Sequence, residues 1–263
     1  MIAVLTTVRN GMPFIKEAVA SVRAQQYREF RHCVVDDGSS DGTLNFLKLD
    51  ENADLIVVSS EPIGRGRALN LGEASYKAEL LAILDADDVA SPSWLATMVE
   101  IMESNHDIAV LSCSGMLDRN ELDARIDHDV RAYRLTPEMF LYRNPVHHSG
   151  TLIRVRVLRE VGGYDESRDC LFDYELWVRL QKQGKQIWRI DNGLIFKRIH
   201  PGQYFERRHR MHYLHATYRI RQSVSRGLLG GHHAVIPVLL FIYGLLPRYF
   251  RHWIYSRNMG KSL

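Results

Sequence analysis

The sequence is poor in cysteine and proline, with three and eight in 263 residues, and Cys33, Cys113 and Cys170 show no CxxC spacing. So small and scattered a set supports neither a disulfide framework nor a zinc site, and it fits a reducing cytosol. Acid is almost missing from the last quarter, where residues 197–263 hold twelve Lys or Arg against the single Glu206. An apolar run long enough to span a bilayer, about 20 residues, is also lacking. The run Ala234 to Leu246 has thirteen residues, Pro237 among them. The opening MIAVLTTVRN lacks the basic region and long apolar stretch of an export signal and reads as a first strand.

What remains is 46% hydrophobic and 25% charged, enough to bury a large core in one or two domains, so a disordered or fibrous protein is excluded. The net charge of +3 hides an asymmetry, because residues 1–196 hold 22 basic and 30 acidic side chains. A basic end on an acidic body suggests a polyanionic partner, either membrane phospholipid or nucleic acid.

Ile2 to Val8, Phe30 to Val35, Asp54 to Val58 and Glu79 to Leu84 are rich in Val, Ile and Leu, as strands buried on both faces are. Between the first two, apolar residues at 14, 15, 18, 19 and 22 have helical spacing. This βαβα rhythm predicts an α/β fold with a mainly parallel sheet. A helix is expected after Ser91, capped by that residue with Pro92 in its first turn, and another from Tyr174 to Gln183, ended by Gly184. Further strands are expected at Ile108 to Cys113, Gly150 to Val155 and Ile187 to Ile195. Basic, aromatic helical segments follow His200. No internal repeat is present.

Ligands of open α/β sheets bind beyond the carboxyl ends of strands, and two of the four early strands end in aspartates. The first cluster, Asp36 to Thr43, reads either as a turn with a helix cap or as a ligand site, since adjacent carboxylates at a strand end repel one another. The second, Asp85, Asp87 and Asp88, places three carboxylates in four residues. A divalent cation such as Mg²⁺ or Mn²⁺ would relieve that repulsion, and a solvated acidic loop is the alternative.

In this order VVDDGSSDGT, GRGRALNLG, LAILDADDVASP and LFDYELWVRL resemble the family-two glycosyltransferases of the GT-A fold, over about residues 1–205. The resemblance implies a nucleotide-sugar-binding half (1–100), an acceptor half (101–205) and a basic, partly apolar helical tail (206–263). It implies inverting transfer of a sugar from a nucleotide diphosphate donor, a UDP-sugar, to the hydroxyl of a glycan or lipid-linked acceptor in bacterial cell-surface polysaccharide or lipopolysaccharide assembly. Thr7, Asn10, Asp37, Arg67, Asp85 and Asp87 would bind the donor, with Asp37 at the base and Asp85 at the ribose. Asp87 and His200 would hold Mg²⁺ or Mn²⁺, with Asp88 nearby. Asp173 would be the catalytic base, and His148 and Glu175 would lie on the acceptor side. Two departures stand out: Thr7, Val8, Arg9, Asn10 replaces the usual Pro, Thr, Tyr, Asn run, and Phe172 precedes Asp173 where an acid is common.

Apart from the resemblance, sugar transfer needs a group to take the acceptor proton, and Asp173 stands at a helix start. Asp173 and Glu175, two residues apart, point in different directions, so one of them at most faces the site. The plainer reading is a favourable acid at a helix N-terminus. The basic end, with Trp253 and its apolar run, resembles an interfacial anchor, which suggests an anionic membrane surface as partner and a cytoplasmic location on the inner face of the membrane. A core helix with solvated arginines is the alternative. Rival functions fit less well. Gly64 to Leu69 lacks the third glycine of a dinucleotide fingerprint, and a sugar-nucleotide pyrophosphorylase would want a richer Gly and Lys/Arg loop than Thr6 to Pro13. Nucleic-acid binding by the tail would need a steep salt dependence, and no nucleic-acid partner is expected.

Overall fold

A computed structural model describes residues 1–50, 52, 54–119, 122, 130–200, 210–247 and 249–250. Two compact units emerge, Met1–Leu135 with Pro145–Pro201, and Thr136–Asn144 with Gly202–Leu263. The first contains a nine-stranded sheet. Its four early apolar runs become β1 (Ile2–Val8), β2 (Phe30–Asp37), β3 (Leu55–Ser60) and β4 (Leu80–Ile83), all parallel in the order β3-β2-β1-β4. The later strands are β5 (Val89–Ala90), β6 (Ile108–Met116), β7 (Ala132–Arg134), β8 (Leu152–Arg154) and β9 (Gln186–Phe196). β8 runs antiparallel between β4 and β6, β9 is parallel to β6, and the short β5 and β7 pair antiparallel with β9. β1 to β4, β6 and β9 therefore share one direction, the mainly parallel sheet that the βαβα rhythm predicts.

The helices of this unit are α1 (Ile15–Arg23), α2 (Thr43–Lys48), α3 (Arg65–Ala74), α4 (Trp94–Ser104), α6 (Val155–Glu160) and α7 (Phe172–Lys182); α5 (Pro137–Tyr142), α8 (Arg210–Gly227) and α9 (Val235–Leu245) belong to the second. Side chains alternate across a strand, so the two sheet faces carry different helices. Val4 packs with Ala18 and Val22 of α1 and with Trp94, Met98 and Met102 of α4, whereas Leu5 and Val35 meet α3 on the opposite face. There α3 lies so close that a Cβ on Gly72 would fall 2.2 Å from Leu5 Cδ1 and 2.9 Å from Val35 Cγ2. Gly72→Ala is therefore expected to destabilise the fold by about 1–2 kcal/mol, overpacking outweighing the gain of up to about 1 kcal/mol in helix propensity. Denaturant melts test this, and a midpoint equal to wild type would contradict it.

Two local expectations change. α4 begins at Trp94 with Ser93 at its N-cap and no side-chain capping bond, and Ser91 Oγ instead contacts Ser93 Oγ at 3.1 Å, so Pro92 lies before the helix. β8 is shorter than expected because Gly150 adopts φ +91° and α6 starts at Val155. Gly184, at φ +72°, follows α7 as expected. Cys33, Cys113 and Cys170 are all buried and free, and burial pushes the Cys33 thiol up to about 11.

In the second unit α9 turns Pro237 and Gly244 inward and sets the Phe241 ring 5.5 Å from Tyr218 of α8. Arg210 donates to the carbonyls of Gly244 and Leu246, the C-terminal groups that an α-helix leaves without partners. Val235, Val238, Leu239, Ile242 and Leu245 recur at helical spacing on the outer face and are all exposed, as are Tyr249 and Phe250. Among the described residues no helix is long and apolar enough to cross a membrane.

Candidate active site

The strand order reverses at β1, so the loops after β1, β2 and β4 open beside one another at the carboxyl edge of the sheet. The first two loops are tied together. Asn10, in the left-handed region at φ +55°, donates its amide to Ser39 Oγ at 2.8 Å and accepts the Ser40 amide on Oδ1 at 2.8 Å. Asp41 accepts the amides of Met12 at 2.9 Å and Thr43 at 3.1 Å. Thr7 is half-buried near the end of β1, in register with Val35. Asp37, buried at the end of β2, accepts the Ile63 amide at 2.6 Å and the Gly64 amide at 3.1 Å. It thereby docks the start of α3 onto this edge, and Gly38 lies so close to Pro62 that a Cβ would fall 2.6 Å from its Cδ.

Past β4, the ligand oxygens of Asp85, Asp87 and Asp88 lie within 4.8 Å of one another. Burial would raise the Asp85 carboxyl, but the Arg65 guanidinium paired with it, helped by His148, holds it well below the usual range. Asp88 moves the other way, since burial and the charges of Asp85 and Asp87 push it up. Its Oδ1 accepts the Arg198 amide at 3.2 Å, and Arg198 Nε donates to the Asp87 carbonyl at 3.1 Å. His200 Nε2 lies 3.1 Å from Asp87 Oδ2, with its ring 4.5 Å from Phe14. So crowded a set of hard oxygen donors, one of them forced toward its protonated form, fits a divalent cation such as Mg²⁺ or Mn²⁺.

Arg65, the first residue of α3, pairs with Asp85 of this cluster. Burial would lower its pKa, but the carboxylates of Asp85, Asp87 and Asp173 outweigh that and raise it. Its guanidinium also covers the Phe172 ring at 5.3 Å. Arg67, expected on the donor side, instead pairs with Glu166 at 3.5 Å and is largely exposed. Residues two apart on a helix do not share a face, so the motif GRGR brings only one arginine to the carboxylates. Asp173, in the first turn of α7, is near enough for its charge to help raise the Arg65 pKa.

Both residues expected on the acceptor side are engaged by other side chains of the protein. Glu175 is bound by Arg179 through Nε at 3.1 Å and Nη2 at 2.9 Å, which turns it away from Asp173. His148 is only 7% exposed; its Nε2 lies 3.0 Å from Tyr164 Oη and its Nδ1 3.8 Å from Asp85 Oδ1, so it stands behind the Asp85 carboxylate. Sequence reasoning missed Arg65 and Tyr164. The sequence signs for them are slight: an arginine directly after the helix-opening Gly64, and a tyrosine after a glycine pair.

The family model for glycosyl transferase family 2 matches residues 3–162, more than half of the chain. The chain belongs to glycosyl transferase family 2. Among curated relatives of this family, an uncharacterised glycosyltransferase of Haemophilus influenzae is 25% identical over 217 residues, covering 77% of this chain and 67% of that one. An uncharacterised glycosyltransferase of Rickettsia prowazekii is 27% identical over 209 residues, covering 77% and 65%. The chain thus spans about two thirds of the length of these relatives. The fold is shared with Staphylococcus aureus TarS solved with UDP-GlcNAc, at TM-score 0.71 and 17% identity over 92% of this chain and 72% of that one. It is shared as well with the Pyrobaculum calidifontis mannosyltransferase PcManGT solved with GDP-Man and Mn²⁺, at TM-score 0.65 and 18% identity over 96% and 82%. These neighbours bear out the expected GT-A architecture.

Proposed function

We propose that this chain transfers a sugar from a nucleotide diphosphate donor to an acceptor hydroxyl with inversion. The observation that carries the reading is the meeting of the Asp85, Asp87 and Asp88 carboxylates with Arg65 at the switch point of a family-2 fold, with the charge of Asp173 acting on the same guanidinium. Asp37, Thr7 and Asn10 line the base end of the donor, Asp85 the ribose, and Asp87 with His200 the diphosphate. Arg65 takes the donor-side role first expected of Arg67. Asp87, assisted by His200 and Asp88, holds Mg²⁺ or Mn²⁺, which when bound neutralises the leaving diphosphate. Asp173 accepts the acceptor proton as that oxygen bonds to the anomeric carbon. The bond from that carbon to the phosphate oxygen breaks, and the diphosphate leaves with its electron pair.

A UDP-sugar is the proposed donor, supported by the TarS complex, and PcManGT makes GDP-mannose the competitor. A panel of UDP- and GDP-sugars assayed for release of the nucleoside diphosphate in Mn²⁺ tests the reading. Turnover above the no-enzyme rate with one of them is expected, and none with any would contradict it.

The proposed acceptor is a glycan or lipid-linked sugar of cell-surface polysaccharide or lipopolysaccharide assembly, met at the cytoplasmic face of an anionic membrane. Support comes from the aliphatic outer stripe of α9 beside a chain end with twelve basic residues and one acid. Each basic residue near an anionic leaflet contributes about 1 kcal/mol. Full-length protein is expected to float with vesicles containing phosphatidylserine at low salt, and a chain truncated before Gly230 is expected to stay behind while still binding a nucleoside diphosphate. Full-length protein that does not float would contradict the anchor, as would a truncated chain that unfolds.

A further inference from the structure

Arg65 and Asp173 stand on different helices, at the first residue of α3 and in the first turn of α7. Neither helix neighbours the other in sequence, so something must fix their spacing. Between them runs the turn Val161 to Glu166, which is gripped from both sides. On the α3 side, Asn70 pairs with the Tyr164 backbone as one strand pairs with another: Oδ1 accepts the Tyr164 amide at 2.9 Å and Nδ2 donates to the Tyr164 carbonyl at 2.9 Å. The same Nδ2 reaches Glu166 Oε1 at 3.0 Å. On the α7 side, Arg179 donates to the carbonyls of Val161 and Gly163, the latter at 2.8 Å, while Glu175 holds its guanidinium.

The turn is shaped for this grip. Gly162 and Gly163 take φ +84° and +73°, and a Cβ on Gly163 would lie 2.7 Å from Asn70 Oδ1. Tyr164 is buried at the centre, and its hydroxyl reaches back 3.0 Å to His148, whose other nitrogen faces Asp85.

We propose that the turn Val161 to Glu166 is a buckle that sets the distance between the donor-side Arg65 and the base Asp173, with Asn70 and Arg179 as its positioning residues. The proposal rests on the reading of Asp173 given above. Neither residue touches the reacting atoms. Misplacing a reacting group by about 1 Å costs up to about 10²-fold in rate, so the effect falls on turnover and spares donor binding.

The test is Asn70→Asp, which keeps the acceptor oxygen but loses both donated bonds, together with Arg179→Lys. At saturating nucleotide sugar in Mn²⁺, release of the nucleoside diphosphate is expected to fall about tenfold or more, with UDP or GDP affinity within about threefold of wild type. Melting temperature is followed alongside, since a residue that serves stability alone would shift it and leave turnover of the folded protein unchanged. Unchanged turnover, or a loss of affinity as large as the loss of turnover, overturns the proposal. Hydrogen exchange reads the buckle without reference to the base: Asn70→Asp is expected to speed exchange at residues 164–175, and unchanged exchange there also overturns it. An Asp173→Asn control that turns over like wild type would fault the base assignment instead, leaving exchange to decide the buckle. Should Asn70→Asp fail to fold, Arg179→Lys alone carries the test through the other grip on the turn: turnover about tenfold lower with nucleotide affinity kept is expected, and unchanged turnover overturns the proposal.

Discussion

An Asp173→Asn protein is expected to lose about 10²-fold or more in sugar transfer, the usual scale for removing a general base, while binding a nucleoside diphosphate within about threefold of wild type. The substitution is close to isosteric, so the first turn of α7 keeps its packing between Phe172 and Tyr174, both buried. What disappears is the proton acceptor. Arg65 loses the charge of Asp173 but keeps Asp85, with which it pairs, and the charge of Asp87. Glu175 cannot take over, because both of its oxygens are engaged by Arg179. Steady-state turnover with a titration of UDP or GDP separates the two quantities. Wild-type turnover by the variant would move the base elsewhere, and a matching loss of nucleotide affinity would make Asp173 a binding residue.

The second large effect is expected at Asp87. Asp87→Ala should abolish the dependence of turnover on Mg²⁺ or Mn²⁺ and weaken nucleoside-diphosphate binding in Mn²⁺ by about 10²-fold, since a bound cation contributes several kcal/mol of charge stabilisation. The loss is local. Arg198 reaches the Asp87 main-chain carbonyl, which alanine retains, and Asp88 stays fixed by the Arg198 amide. His200 loses its carboxylate partner, so His200→Ala serves as the control: it should cost less, because the three carboxylates survive. Titrating UDP with and without Mn²⁺ on both variants checks this. Equal Mn²⁺ dependence in Asp87→Ala and wild type would contradict the assignment.

The parallel half of the sheet was legible because β1 and β4 are buried on both faces and read as mainly apolar runs, and the half-buried edge strand β3 keeps the run Leu55 to Val58. The aspartates after β2 and β4 were legible because like charges at a strand end have few structural uses. Long-range partners were not. Nothing near Arg67 marks Glu166 as its partner, and nothing in DYELWVRL shows that Glu175 turns to Arg179 while the charge of Asp173 acts on Arg65. His148, expected on the acceptor side, has surroundings that come from Tyr164, Phe172 and Trp177, residues 16 to 29 positions further on. The pairing of α5 with the carboxyl-terminal helices was equally hidden, since Thr136–Asn144 leaves the first unit and the chain then returns to it. Residues 201–209 and 251–263, which hold Trp253 and much of the basic charge, lie outside the described residues.

The central claim is that Asp87, assisted by His200 and Asp88, holds a divalent cation against a nucleoside diphosphate. Electron paramagnetic resonance of Mn²⁺ tests it most directly, because free aqueous Mn²⁺ gives a six-line signal that diminishes on binding. With UDP or GDP present, wild-type protein should remove that signal in proportion to its concentration, beyond what the nucleotide alone removes, and Asp87→Ala should not. A wild-type signal equal to that of nucleotide alone would contradict the account.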